Sequence, residues 1–163
     1  MTARLSALLS GLNARVEGDV DVEVAAVTAD SRRVGPGDVF VAVRGTKTDG
    51  HAFVPAAISA GARAVVVDDR QSIERPSDVT LIAVEDPRLA LGHLVRRAHG
   101  CVDRELTVMA VTGTNGKTTV SHLVRDLLDG VGRRCGLVGT IEYDDLGAGT
   151  AAPLTTPGPE DLM

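Results

Sequence analysis

Aromatic residues are nearly missing from this chain: Phe40, Phe53 and Tyr143 make up the whole 2% of 163 residues, and there is no tryptophan. Platforms that stack single-stranded bases need several exposed rings, so that class of function is excluded. Basic charge is also short, with 17 Lys+Arg against 22 Asp+Glu and a net charge of −5. A duplex binder carries a basic face, and no nucleic-acid partner is expected here. No apolar run approaches the roughly 20 residues of a membrane-spanning helix. Cysteine is limited to Cys101 and Cys135, far apart and without C-x-x-C spacing. That pattern fits neither a zinc site nor a disulfide framework, and a reduced, cytoplasmic setting is expected. Lysine is rare as well. Lys47 and Lys117 are the only two, which singles out both positions.

What is present reads as α/β. The length allows one ordinary domain or two small ones, at roughly 100–200 residues per domain, and 18 glycines accompany a 44% hydrophobic content. Near the N-terminus, Leu5, Leu8, Leu9 and Leu12 fall at helical spacing, which predicts a short amphipathic helix rather than a signal peptide. Strands are expected at 22–27, 39–43, 64–67, 79–84, 106–111 and 137–141. Helices are expected at about 52–60, closed by Gly61, and after Asp86-Pro87, a capping carboxylate followed by proline. A further helix is expected over 117–129, and the tail from 147 to 159 reads as irregular loop. Alternating strands and helices predict a largely parallel α/β arrangement, with the break between units near 100–105.

The sharpest motif is Val111-Thr112-Gly113-Thr114-Asn115-Gly116-Lys117-Thr118-Thr119. An expected strand ends, a Gly-rich loop turns and a helix starts at Lys117. Such a junction aims consecutive backbone N–H groups and the positive end of a helix dipole at one point. Gly113 and Gly116 allow close approach of an anion. Lys117 is placed to reach the β- and γ-phosphates of ATP, and Thr118 to offer its hydroxyl to Mg²⁺. The general phosphate-loop pattern wants a glycine five residues before Gly116, where this chain has Val111.

Gly113-Thr114-Asn115-Gly116-Lys117-Thr118-Thr119 resembles the ATP loop of the Mur ligase family, whose variant loop lacks that early glycine. Asp30-Ser31-Arg32, Gly37-Asp38-Val39-Phe40-Val41-Ala42-Val43, Gly45, Asp49-Gly50-His51, Phe53 and Gly61-Ala62 are similar to the N-terminal domain of its MurE and MurF types. Thr155-Thr156-Pro157 resembles the threonine pair that MurE-type members place against the UDP-sugar peptide. The resemblance covers nearly the whole chain but only about the first third of a full ligase. It implies residues 1–102 as a UDP-substrate-binding domain and 103–163 as the opening of the central ATPase domain.

By the same resemblance the chemistry is ATP-dependent amide formation. ATP phosphorylates the carboxylate of UDP-N-acetylmuramoyl-L-alanyl-D-glutamate, and a diamino acid, diaminopimelate or lysine, attacks the acyl phosphate in peptidoglycan synthesis. The amino acid belongs to a C-terminal domain beyond Met163, so this chain is expected to bind substrate better than it catalyses. Ala29 and Ser31 match contacts to the uridine end, Thr46, Lys47 and Thr48 a loop over that nucleotide, and Thr155 and Thr156 the sugar-peptide contacts. Lys117 is the catalytic residue implied. Read without the resemblance, Ser31 is equally a turn residue and Lys47 a solvated loop lysine. Two other readings stay open: a MurF-type ligase adding D-alanyl-D-alanine, and a non-catalytic nucleotide-binding module. His51 reads as a turn residue, His93, His99 and His122 as helix-surface residues, and Glu142, Asp144 and Asp145 as a solvated acidic turn.

Overall fold

The computed structural model describes residues 2–45, 48–68, 74, 76–146, 148–152 and 158–159, with the backbone alone for Asp145 and Ala148. It divides into two compact units, 1–104 and 105–162.

In the first unit the elements run β1 (Ala3–Arg4), α1 (Leu5–Leu9), β2 (Arg15–Glu17), β3 (Glu23–Val24), β4 (Val27–Thr28) and β5 (Val39–Val41). They continue with α2 (Val54–Ser59), β6 (Ala64–Asp68), β7 (Thr80–Val84) and α3 (Pro87–Ala98). Five strands form a sheet in the order β2-β7-β6-β5-β4. β4 to β7 are mutually parallel, and β2 closes the edge antiparallel to β7. β1 and β3 pair separately.

Alternation along the parallel strands sorts side chains to two buried faces. Val39, Val41, Ala64, Val66, Ile82 and Val84 point to one side, where Leu5 and Leu8 of α1 and Ala90, Leu91, Leu94 and Val95 of α3 cover them. Phe40, Val65, Val67, Leu81 and Ala83 point to the other, against Val54 and Ala57 of α2. Phe40, Val65, Val66 and Ile82 are completely buried. α3 starts where the sequence signals it: the Asp86 carboxylate accepts from the backbone N–H groups of Arg88 and Leu89, at 2.8 and 3.2 Å, satisfying donors that have no partner within the helix.

Two expectations for this unit change, and one strand is new. The expected strand at 22–27 is split, because Ala25 N–H and Ala26 C=O turn to Gly37 and Val39, so β3 joins β1 and β4 joins the main sheet. The helix expected from Ala52 opens as a tight turn at Gly50–Phe53 before α2. β2 was not foreseen at all; three residues at an edge carry too little periodicity to announce themselves.

The second unit holds α4 (Lys117–Gly130), β8 (Leu137–Val138), β9 (Glu142–Asp145) and β10 (Ala148–Ala151), with β8, β9 and β10 in an antiparallel sheet. The expected strand at 106–111 does not form, because among the described residues nothing pairs with it. Leu106 and Val108 stay 65% and 79% exposed. Its β-branched composition is local, but a strand exists only through a ladder. The acidic group Glu142, Asp144 and Asp145 is strand, not a solvated turn. Part of the tail read as irregular is β10. Arg125 of α4 donates to Glu142 at 3.3 Å and to Asp144 at 3.1 Å, giving the acidic pattern a partner seventeen or more residues away. Cys101 and Cys135 are free thiols.

Candidate functional site

Two regions carry the residues singled out by sequence, one in each unit. In the second, residues 112–116 form a bend that delivers the chain into α4, and Gly116 stands immediately before the helix with φ 81°. That left-handed conformation is costly for any residue with a Cβ, and a Cβ at Gly116 would meet only open space. Thr112, Gly113, Thr114, Asn115, Gly116, Lys117 and Thr119 are exposed, and Thr118 is half-buried. The Lys117 ammonium is folded back over the loop and donates to the Gly113 carbonyl at 2.7 Å. A fourteen-residue helix with a left-handed glycine at its entrance and an ammonium over the loop has the chemistry that suits an anion. Among the described residues no group of three His, Cys, Asp or Glu could hold a metal ion.

In the first unit the C-terminal ends of β4 to β7 share one edge of the sheet, the edge where ligands bind in open α/β folds. Ala29 and Ser31 follow β4. Asp30 organises this turn: its carboxylate accepts from the Arg32 backbone N–H at 3.0 Å and from the Arg32 guanidinium at 2.7 Å. The Arg32 side-chain hydrogen bond, aided by its backbone N–H, holds the Asp30 carboxyl down at about 2. Thr28 Oγ1 accepts from Asp30 N–H at 3.1 Å and adds a second side-chain bond to the turn. Thr48 lies exposed in the turn after β5, its carbonyl accepting from Gly45 N–H at 2.9 Å. Thr46, Lys47, Thr155 and Thr156 lie outside the described residues.

Sequence reasoning missed what surrounds this edge. A cavity of about 510 Å³ is lined by Val43, Arg44, His51, Asp68, Glu85, Asp86, Pro87, Arg88 and Leu89. His51 is not a simple turn residue. Its ring is 9% exposed, Nε2 accepts from Asp68 N–H at 3.0 Å, and Nδ1 lies 2.6 Å from Asp49 Oδ1. The backbone N–H of His51, and then its ring, hold the Asp49 carboxyl below the usual carboxylate range. Arg44 reaches Asp49 at 3.2 Å and Asp68 at 3.8 Å, while Arg88 donates to the Arg44 carbonyl at 3.0 Å. The spacing Asp49-Gly50-His51 was the visible signal; its long-range partner Asp68 was not. Of the other histidines, His93 sits 3.1 Å from the Ser10 carbonyl, and His122 stands beside Arg125.

Residues 23–99 match the Mur ligase family, catalytic domain, and residues 111–161 match the Mur ligase middle domain. The chain belongs to the Mur ligase family. A Pseudomonas syringae pv. tomato relative named UDP-N-acetylmuramoyl-L-alanyl-D-glutamate--2,6-diaminopimelate ligase is 42% identical over 86% of this chain and 29% of its own length. A solved structure carrying the same ligase name superposes with a TM-score of 0.71 and 25% identity, over 99% of this chain and 32% of that one. MurF from Acinetobacter baumannii superposes with a TM-score of 0.63 and 26% identity, over 80% of this chain and 28% of that one. The chain thus spans under a third of the length of these Mur ligases. Both the Gly-rich loop before α4 and the sheet edge fall inside the matched segments. Among the described residues, no helix is long and apolar enough to cross a membrane.

Proposed function

We propose that this chain is the part of a cytoplasmic, ATP-dependent ligase that holds UDP-N-acetylmuramoyl-L-alanyl-D-glutamate and the phosphates of ATP, for the addition of 2,6-diaminopimelate. The observation that carries the reading is the junction at Gly116, an open left-handed glycine that starts α4 beneath the Lys117 ammonium. Residues 1–102 serve the UDP-substrate and 103–163 open the ATP-binding domain. The names of the diaminopimelate ligases at about 40% identity support diaminopimelate over lysine as the amino acid.

In this reading Lys117 leaves the Gly113 carbonyl for the β- and γ-phosphate oxygens of ATP. The loop N–H groups of 113–116 and Thr119 at the helix start complete the cradle. Charge neutralisation there lets the γ-phosphoryl pass to the D-glutamate carboxylate. The amine then attacks the acyl phosphate, an amide forms and phosphate leaves. The chemistry that Mg²⁺ would supply here is neutralisation of phosphate charge. Thr118 would hold it, and a hydroxyl oxygen suits that hard ion. Ser31 and Ala29 take the uridine end, with Thr46, Lys47 and Thr48 over the nucleotide. Thr155 and Thr156 contact the sugar peptide.

Calorimetric titration with UDP-N-acetylmuramoyl-L-alanyl-D-glutamate tests this. Saturable binding is expected, weakened roughly fivefold in Ser31→Ala, the equivalent of one neutral hydrogen bond of about 1 kcal/mol. Mg-ATP binding, where measurable, is lost in Lys117→Ala. No binding of the UDP-substrate refutes the reading. Preference for the UDP-tripeptide would transfer it to the D-alanyl-D-alanine type, whose solved members share the fold.

A further inference from the structure

The described residues of the turn that leaves β5 form the following bonds. Arg44 and Asp49 form an isolated bridge, Gly45 N–H donates to the Thr48 carbonyl, and Gly50 N–H donates to the Val43 carbonyl at 3.0 Å. The Arg44–Asp49 ion pair is half exposed, and such pairs contribute little by themselves. The turn nonetheless lies on the ligand-binding edge of the sheet, and Arg44 forms part of the cavity wall. The ring of His51, 9% exposed, ties it to the end of β6 through Asp68 N–H, beside the longer Arg44–Asp68 ion pair at 3.8 Å.

The direction of each bond assigns the tautomer. Asp68 N–H points at Nε2, so Nε2 carries a lone pair. In the neutral ring the proton is then on Nδ1, donated to Asp49 Oδ1. Asp49 in turn faces the Arg44 guanidinium. The chain Asp68 N–H, His51, Asp49, Arg44 therefore runs without a break from the end of β6 to the cavity. We infer that His51 is a positioning residue for ligand binding: in its Nδ1–H tautomer it fastens the Arg44–Asp49 turn to β6, setting Arg44 on the cavity wall and Thr48 in the same turn. The inference rests on the nucleotide reading above, in which this turn lies over the UDP moiety.

Two conservative replacements separate the halves of the clamp. His51→Gln presents an amide oxygen where Nε2 sits and keeps the Asp68 bond; His51→Asn presents an amide N–H where Nδ1 sits and keeps the Asp49 bond. Amide hydrogen exchange and calorimetric titration with UDP on the chain and both variants give the readout. In His51→Asn, exchange at Asp68 is expected to rise at least tenfold, with core amides of Val65 and Val66 unchanged. In His51→Gln the Asp68 amide stays protected. Both variants lose about tenfold in UDP affinity, because each frees one end of the turn. UDP affinity unchanged in both variants overturns the inference alone, since a purely structural clamp would alter exchange without altering binding. No UDP binding by the unmodified chain refutes the nucleotide reading and takes the inference down with it.

Discussion

Among the glycines with described surroundings, Gly50 is the one where an added methyl group, as in Gly50→Ala, meets backbone at the shortest distances. A Cβ at position 50 would stand 2.6 Å from the Val43 carbonyl oxygen, 2.7 Å from Val43 N and 3.0 Å from the Ala42 carbonyl carbon. All three are backbone atoms leaving β5, so no side chain can rotate away. Reaching an ordinary contact of roughly 3.5 Å requires a separation of nearly 1 Å. Gly50 N–H donates to the same Val43 oxygen at 3.0 Å, and that shift carries the bond out of range. Overpacking costs about 1–3 kcal/mol and the lost bond about 1 kcal/mol. Roughly 2–4 kcal/mol is a large fraction of the 5–15 kcal/mol that holds a domain folded. At about 4–8 °C per kcal/mol for a unit of this size, Tm falls by about 8–32 °C. Thermal unfolding followed by far-UV circular dichroism measures it. Gly92→Ala is the control: this glycine lies inside α3 and a Cβ there meets nothing within 4 Å, so stability should rise by up to about 1 kcal/mol. A Gly50→Ala variant melting within about 3 °C of the parent, on the same scale, would refute the steric reasoning.

Further outcomes follow from the caps and turns. Asp86→Ala removes both N-terminal bonds of α3 and should cost about 1 kcal/mol in urea unfolding with an unchanged m-value; no shift in midpoint would remove the cap from the account. The Asp30 carboxyl, held down by Arg32 to about 2, stabilises the turn above its unfolded value near 4, and that contribution is lost as pH falls from about 4 toward 2. A carboxyl carbon NMR titration should place its midpoint near 2 and, in Arg32→Ala, closer to the ordinary value; an ordinary midpoint in the parent would contradict the pairing.

How much of this was legible from residues alone depends on the range of each signal. The start of α3 is written in Asp86-Pro87, and the entrance to α4 in Gly116-Lys117, because caps and left-handed turns are decided by neighbours within four positions. The alternation of Val39-Phe40-Val41 and Val65-Val66-Val67 likewise announces strands buried on both faces. The unpaired stretch at 106–111 looked like a strand for the same local reasons, and failed where pairing is non-local. Glu142 and Asp144 looked like a solvated turn because their partner, Arg125, lies seventeen and nineteen residues away.

The sequence by itself determined the parallel α/β layering, the Gly-rich loop with Lys117 at its helix entrance, the family resemblance, and the shortage of aromatics and basic charge. These rest on composition, on spacing within a turn, and on period-two or helical patterns. Only the tertiary structure decided that β2 closes the sheet in reverse and that 148–151 is strand. It alone showed that His51 reaches across the edge to Asp68, and that Arg44 and Arg88 line a cavity there. Each depends on closing a loop of chain onto a distant segment, and a sequence read locally does not record which segment that is.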